Sequence, residues 1–212
     1  MNPLNKFQTF IRTLQFASSL RRNLNRHSSS IPSVEAFLSR NLIKNCPSSS
    51  SLDLGCGTSP QNPFEASTVF GIDLMSSSCP QVMCADLSYQ PIPFDDSSFH
   101  YCTAFDFLEH IPRSVLVNGV TRFSFVELMS EIYRVLLPDG LFLHLTPAFP
   151  SKQAFQDPTH LNIITEDTLE TYFCEPRIGA SALGYGFNGR FRLLDQAWVD
   201  SIKLISLLQA VK

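Results

Sequence analysis

Ser51-Leu-Asp-Leu-Gly-Cys-Gly-Thr-Ser-Pro60 starts as a short apolar strand, carries an acid at Asp53, and breaks into a turn with glycines at Gly55 and Gly57. Glycine has no side chain, so the backbone there can take positive φ and lie close against a ligand. Such a strand-to-turn junction, at the carboxyl edge of a parallel sheet, is where open α/β folds bind nucleotide-like molecules. A dinucleotide would require G-x-G-x-x-G, and Pro60 stands at the last position. A phosphate loop would require Gly-Lys-Ser/Thr after the turn, and none follows. The pattern suits a ligand with an adenosine and a cation but no phosphates, with Asp53 placed for the cation.

Downstream, Val69-Phe-Gly-Ile-Asp73 reads as a second buried strand ending in an acid, sixteen residues after Gly57. A carboxylate at that point can accept hydrogen bonds from both hydroxyls of a ribose. Val82-Met-Cys-Ala-Asp86-Leu87 reads as a third strand ending in an acid followed by an apolar residue. Pro93-Phe-Asp-Asp-Ser-Ser-Phe99 and Ala104-Phe-Asp-Phe-Leu-Glu-His-Ile-Pro112 bracket a fourth strand. Glu131-Ile-Tyr-Arg-Val-Leu-Leu-Pro-Asp-Gly140-Leu-Phe-Leu reads as a helix, a tight turn and a fifth strand.

Five such segments in this order, over roughly residues 51–150, resemble the class I S-adenosylmethionine-dependent methyltransferases, and within them the small-molecule enzymes with a Leu-Glu-His motif. The resemblance implies S-adenosylmethionine as cofactor. It implies a binding set of Asp53, Gly55, Cys56, Gly57, Asp73, Leu74, Asp86, Leu87 and Phe105, with Asp73 on the ribose and Asp86-Leu87 at the adenine. Ser59 departs from the family pattern, which has glycine there; serine tolerates fewer backbone conformations and would narrow the methionine end of the pocket.

The chain has 212 residues, of which 44% are hydrophobic and 17% charged, as in a soluble globule with a substantial core. There is no run of 18 uncharged apolar residues, and the amino-terminal stretch lacks the continuous apolar core of a secretory signal. The six cysteines form neither a C-x-x-C pair nor a zinc spacing, so a reduced, cytoplasmic setting is expected. Charge is uneven: residues 1–45 carry a net +6 and the remainder −9. Such a basic arm can steer toward anionic partners, although these charges also suit the wet face of an amphipathic helix.

Phe7, Phe10, Ile11, Leu14, Leu20 and Leu24 recur at helical spacing and predict a helix over about residues 3–25. Ser33 is a plausible N-cap for a second helix over about 34–44. These two helices are expected to form a cap, residues 1–45, that covers the cofactor edge and closes the acceptor pocket, with the methyltransferase domain spanning 46–212. Pro60 and Pro63 leave room for only a short helix before Val69, and none is expected between Asp73 and Val82. Residues 114–137 predict one or two helices, Leu141–Leu145 a buried strand, and Glu166–Phe173 a short helix. Arg190–Val199 and Lys203–Val211 predict a closing antiparallel pair around Asp200-Ser201. Strands alternating with helices indicate an α/β fold. The expected architecture is a Rossmann-like, seven-stranded, mostly parallel sheet with helices on both faces and an antiparallel last strand.

Methyl transfer from a sulfonium needs mainly alignment of acceptor and methyl in a dry pocket. A hydroxyl acceptor also gains from a base that titrates near working pH, which histidine does. His110, just past the fourth strand, and His160, after the fifth, fall on the same sheet edge and are the candidate catalytic residues. Asp157-Pro-Thr-His160 also suits a plain turn in which Asp157 bonds the backbone near Thr159. No metal is assigned, but Asp106, Glu109, His110 and His160 resemble the ligand set of metal-dependent small-RNA 2′-O-methyltransferases. Gly179–Gly189 predicts a mobile glycine-rich loop in which Tyr185 and Phe187 could pack on an acceptor. The leading expectation is methylation of an oxygen or nitrogen on a small-molecule or glycan-type acceptor. The alternatives are RNA 2′-O-methylation with a divalent metal and a non-catalytic S-adenosylmethionine-binding protein. Nucleic acid is a less favoured partner, and no membrane span is expected.

Overall fold

Alternating apolar positions decide the architecture. Tyr101 and Leu143 point to one side of the sheet while their neighbours Cys102 and Phe142 point to the other, and all four are buried. Strands buried on both sides must be covered on both sides, which is the condition for a mostly parallel sheet. The computed structural model describes residues 7–15, 18, 29–43 and 48–212. Its strands are β1 (Ser29–Ile31), β2 (Ser50–Leu54), β3 (Thr68–Asp73), β4 (Val82–Cys84), β5 (Phe99–Phe105), β6 (Val115–Val117), β7 (Val120–Arg122), β8 (Leu136–Pro147), β9 (Phe191–Val199) and β10 (Lys203–Ala210). Eight of them form one sheet in the order β1-β9-β10-β8-β5-β2-β3-β4. Only β10 is reversed, pairing antiparallel with both β8 and β9. The seven expected strands are present with the last one antiparallel, and β1 adds an eighth by pairing parallel with the edge of β9.

The helices are α1 (7–15), α2 (Val34–Arg40), α3 (Ser124–Val135), α4 (Gln153–Gln156), α5 (Glu166–Phe173) and α6 (Gly179–Ala182). On α3, Phe125, Leu128, Met129, Ile132 and Val135 fall on one stripe and bury it against Leu52, Ile72, Cys102 and Phe142. On the opposite side, Phe37 of α2 is fully buried with Phe64, Tyr101, Leu143 and Ile205. Truncating Phe37 to alanine would cost about 3–5 kcal/mol, the usual cost of deleting a buried phenylalanine side chain. Ser33 caps α2 as expected, its hydroxyl accepting from the Ala36 N–H at 3.2 Å. The helix stops at Arg40, where Asn41 donates back to the Phe37 carbonyl and Leu42 turns to φ 50°.

Several expectations change. Residues 29–43 are built into the sheet, as an edge strand and a helix on its face, and none of them lines the cavity described below. Of the predicted helix over 3–25, residues 7–15 are helical with Phe7, Phe10 and Leu14 exposed; most of the remainder lies outside the described residues. The connections β2–β3 and β3–β4 contain no helix, which agrees with the helix-breaking Pro60, Pro63 and Pro80. Residues 114–137 hold one helix, and their first part is the hairpin β6–β7. Its turn is Asn118-Gly119, both at positive φ, the two-residue geometry that Asn-Gly favours. The hairpin of β9 and β10 turns on Asp200-Ser201, also both at positive φ. Among the described residues no helix is long and apolar enough to cross a membrane, and every cysteine is a free thiol.

Candidate active site

Parallel strands β2, β3, β4 and β5 end side by side, so the residues that follow them share one sheet edge. The β2 turn brings Gly55 to φ 69° and Gly57 to φ 63°. A Cβ on Gly55 would lie 2.4 Å from the Phe107 ring, so only glycine allows that ring to close over the turn. Asp73 accepts from the Gly57 N–H and the Met75 N–H, each at 2.8 Å, tying the ends of β2 and β3 together. Asp86 accepts from the Ser88 N–H at 2.9 Å and from its hydroxyl at 2.5 Å. Ser59 is exposed and its φ is not positive, so serine is accommodated there without backbone strain.

A cavity of about 400 Å³ opens on this edge. Gly55, Asp73, Leu74, Asp86, Leu87 and His110 line it, together with Asp106 and Phe107. Asp53, Cys56 and Gly57, also expected at the cofactor, do not line it. Asp53 is almost wholly buried, accepting from the Thr103 hydroxyl at 2.6 Å and the Gln61 N–H at 2.8 Å. Burial pushes its carboxyl up to about 6 against those two hydrogen bonds. Cys56 turns its thiol against Gly71, where a Cβ would lie 2.4 Å from Sγ, and burial lifts that thiol to about 11. Phe105 packs with Tyr101 and Leu143 on the far side of the sheet, and Phe107, two residues on, supplies the aromatic wall of the cavity instead. The shift arises at Asp106, whose φ of 49° ends the strand alternation.

The 3-10 turn Leu108–His110 follows β5 and carries Glu109 and His110, the latter a candidate catalytic histidine. Glu109 is 1% exposed, and the Thr146 hydroxyl donates to its Oε2 at 2.6 Å while Oε1 has no partner. Burial raises its carboxyl above the usual range. Asp157 and Thr159 form the anticipated turn, the Thr159 N–H and hydroxyl both donating to Asp157 Oδ1. That turn also sets His110, whose Nδ1 is 3.2 Å from the Thr159 carbonyl and 3.0 Å from its hydroxyl. With the Nδ1 proton given to the carbonyl, Nε2 keeps its lone pair free. The His110 and His160 rings lie 5.0 Å apart, and His160 Nδ1 is buried without a partner. One atom each of Glu109, His110 and His160 lies within 4.8 Å of the others, a spacing that could hold a cation. Asp106 does not join them, because Lys203 pairs with it.

Sequence reading missed Phe107, Thr146, Thr159 and Lys203. Asp157-Pro-Thr-His160 carried the one legible signal, an Asx turn beside a histidine; the other partners are 37 or more residues away in the chain.

Residues 52–144 match the family model described as a methyltransferase domain. No curated protein matches the chain by sequence. Among solved structures, the chain is similar to the YcgJ protein from Bacillus subtilis, at 13% identity and a TM-score of 0.56 over 84% of this chain and 98% of that one. It is similar to an S-adenosylmethionine-dependent methyltransferase from Mesorhizobium loti, at 14% identity and a TM-score of 0.53 over 84% and 98%. A TehB-like methyltransferase from Corynebacterium glutamicum aligns over 99% of this chain and 100% of its own, at 16% identity and a TM-score of 0.51. At such identities the structural likeness is one of fold. The domain match joins it to the strand order and to the acids at the ends of β3 and β4, and together they support a class I S-adenosylmethionine-dependent methyltransferase.

Proposed function

We propose that this methyltransferase acts on an oxygen or nitrogen of a small-molecule or glycan-type acceptor, with His110 and His160 at the acceptor atom. The observation that carries the reading is that His110 lines the same cavity as Asp73 and Asp86 while Thr159 fixes its Nδ1. S-adenosylmethionine supplies an electrophilic methyl group on a sulfonium. Asp73 is the ribose ligand in this reading, and Asp86 with Leu87 the adenine side. Asp53 fixes the Gln61 end of the glycine turn and adds negative charge behind it. His110 Nε2 takes the acceptor's proton, and the aromatic wall of Phe107 limits water. Incubation of the protein with isotopically labelled donor and cell extract, followed by mass spectrometry of the labelled product, tests the reading. A labelled small molecule supports it, and label confined to RNA or protein overturns it.

One observation favours a second reading of the same residues. Glu109 Oε1 is buried with no partner beside two imidazoles, which fits a divalent cation held by Glu109, His110 and His160. The cation would act as a Lewis acid on an acceptor hydroxyl. The four-residue set of RNA 2′-O enzymes would also need Asp106, which Lys203 neutralises, so the small-acceptor reading is the stronger. Turnover that survives exhaustive chelation assigns the histidines to proton transfer; turnover lost to chelation and restored by added Mg²⁺ or Mn²⁺ assigns them to the cation.

A further inference from the structure

Beside the cofactor cavity lies a second recess of about 260 Å³. Phe125, Phe173 and Ala180 form its buried floor. Phe123, Tyr172 and Tyr185 form its rim, with 43%, 39% and 40% of their surface exposed. The Phe123 and Tyr185 rings stand 5.6 Å apart at an angle of 49°. Three separate segments meet here: the start of α3, the helix α5, and the glycine-rich stretch that the sequence marked as a loop. That stretch is anchored, with Ala180 and Phe187 buried and the Ser181 hydroxyl donating to the Phe187 carbonyl.

One cation stands on the wall. Arg113 donates from Nε to Asn162 Oδ1 at 3.1 Å and from Nη2 to the Ile163 carbonyl at 2.7 Å. Two neutral acceptors therefore fix the guanidinium in place without cancelling its charge. Arg40, Arg122, Arg134 and Arg192 each pair with a carboxylate, whereas Arg113, like Arg12, Arg177 and Arg190, forms no ion pair among the described residues, and of these four only Arg113 lines the recess. The recess also abuts the reacting edge. Pro112 and Leu161 line the cofactor cavity, and the next residues, Arg113 and Asn162, line the recess. The Asn162 N–H donates to the Glu109 carbonyl at 2.9 Å, so the wall between the two spaces is continuous with the turn that carries His110.

We propose that this recess binds the methyl acceptor and that it takes a planar ring bearing a carboxylate. Aromatic faces on the rim and floor select a flat ring by offset or edge-to-face packing. A preset guanidinium without a protein counter-ion selects a carboxylate, with which it forms charge-assisted hydrogen bonds. An uncharged ligand would fill the aromatic space and leave the Arg113 charge uncompensated. A ring held there presents its far substituents across Pro112 and Leu161 toward His110. The assignment rests on the small-acceptor reading given above and names its substrate class.

The test is calorimetric titration of the full chain, saturated with S-adenosylhomocysteine, against 3,4-dihydroxybenzoate and its neutral counterpart 3,4-dihydroxybenzyl alcohol. The acid should bind at least about tenfold more tightly than the alcohol, as one charge-assisted contact provides. Raising the salt concentration should weaken the acid and leave the alcohol unchanged. Arg113→Met should erase the preference and Arg113→Lys should keep part of it, with S-adenosylhomocysteine affinity unchanged in both. Equal affinity of acid and alcohol for the native protein, or a preference that survives in Arg113→Met, overturns the proposal even where the labelled product from extract is a small molecule. A labelled macromolecule instead removes the small-acceptor reading and this assignment with it. Absence of binding by either probe also overturns it.

Discussion

On the donor side of the cavity each carboxylate is bonded within the chain. Asp53 accepts from Thr103 and Gln61, Asp73 from Gly57 and Met75, and Asp86 from Ser88. On the acceptor side polar groups are left open: Glu109 Oε1 and His160 Nδ1 are buried with no partner. Buried polar atoms are normally paired, so this imbalance has a meaning. In the proposed reading the donor edge is a finished cradle, its hydrogen bonds holding the loops for a nucleoside. The acceptor edge carries the unspent hydrogen-bonding and ligating capacity, where a reacting group or a cation can still be accommodated.

The largest effect expected from this contrast is on turnover. His110→Ala should lower kcat by about 10²- to 10⁴-fold, the range of a lost general base, while leaving S-adenosylhomocysteine affinity near the native value. A parallel fall in cofactor affinity, read by calorimetry, would place His110 in the donor cradle and break the division. Asp73→Ala should do the opposite. Two backbone N–H groups lose their acceptor and, in the proposed reading, the ribose loses its partner, so cofactor binding should weaken by about 1.5–3 kcal/mol. Unchanged affinity in that variant would mean that the cradle is held by other contacts.

Two smaller effects have opposite signs in pH. His144 is buried and its imidazole is held down to about 3 from its ordinary 6.5, so the unfolded chain binds a proton first as pH falls. Its contribution to stability is complete above about 6.5 and is lost on acidification, reaching about 2 kcal/mol of loss by pH 5. Asp53 is raised to about 6, so here the folded state binds the proton first and stability rises as pH falls from about 6 toward 4. By pH 5 that gain is about 1 kcal/mol. Urea unfolding of His144→Leu and Asp53→Asn at pH 7 and pH 5 separates the two. The first variant should escape the acid loss, and the second should lack the acid gain. If both variants followed the native pH dependence, neither group would be as desolvated as its surroundings suggest.

The same contrast explains what could be read from sequence. The donor cradle is assembled from strand ends that each announce themselves locally, an apolar run closed by Asp53, Asp73 or Asp86, and register brings them together. The acceptor side depends on pairs far apart in the chain, His110 with Thr159 and Arg113 with Asn162, each separated by 49 residues. No periodicity encodes such a pair. Phe105 illustrates the limit of local reasoning: strand alternation puts it on the opposite face, and the left-handed turn at Asp106 passes its expected place to Phe107. The hairpin β6–β7 is different, because its Asn118-Gly119 turn between Val115-Leu-Val117 and Val120 is a local hairpin signal inside a stretch expected to hold helices. The edge strand β1 was not legible, since Ser29-Ser30-Ile31 is too short and polar to carry a strand pattern and exists by pairing with β9.

Strand β10 also governs the order in which the sheet can be completed. Of the eight strands it is the last to be synthesised, yet it sits between β8 and β9 and bonds to both. Until it emerges, the edge of β8 that faces away from β5 is open, and β1 with β9 has no hydrogen-bonded link to the rest of the sheet. The nascent chain therefore carries two incomplete pieces with exposed backbone edges, the state in which strands pair with the wrong neighbour. Lys203, the first residue of β10, pairs with Asp106 at the end of β5. The strand that finishes the sheet thus also brings the cation that pairs with a carboxylate of the cavity lining.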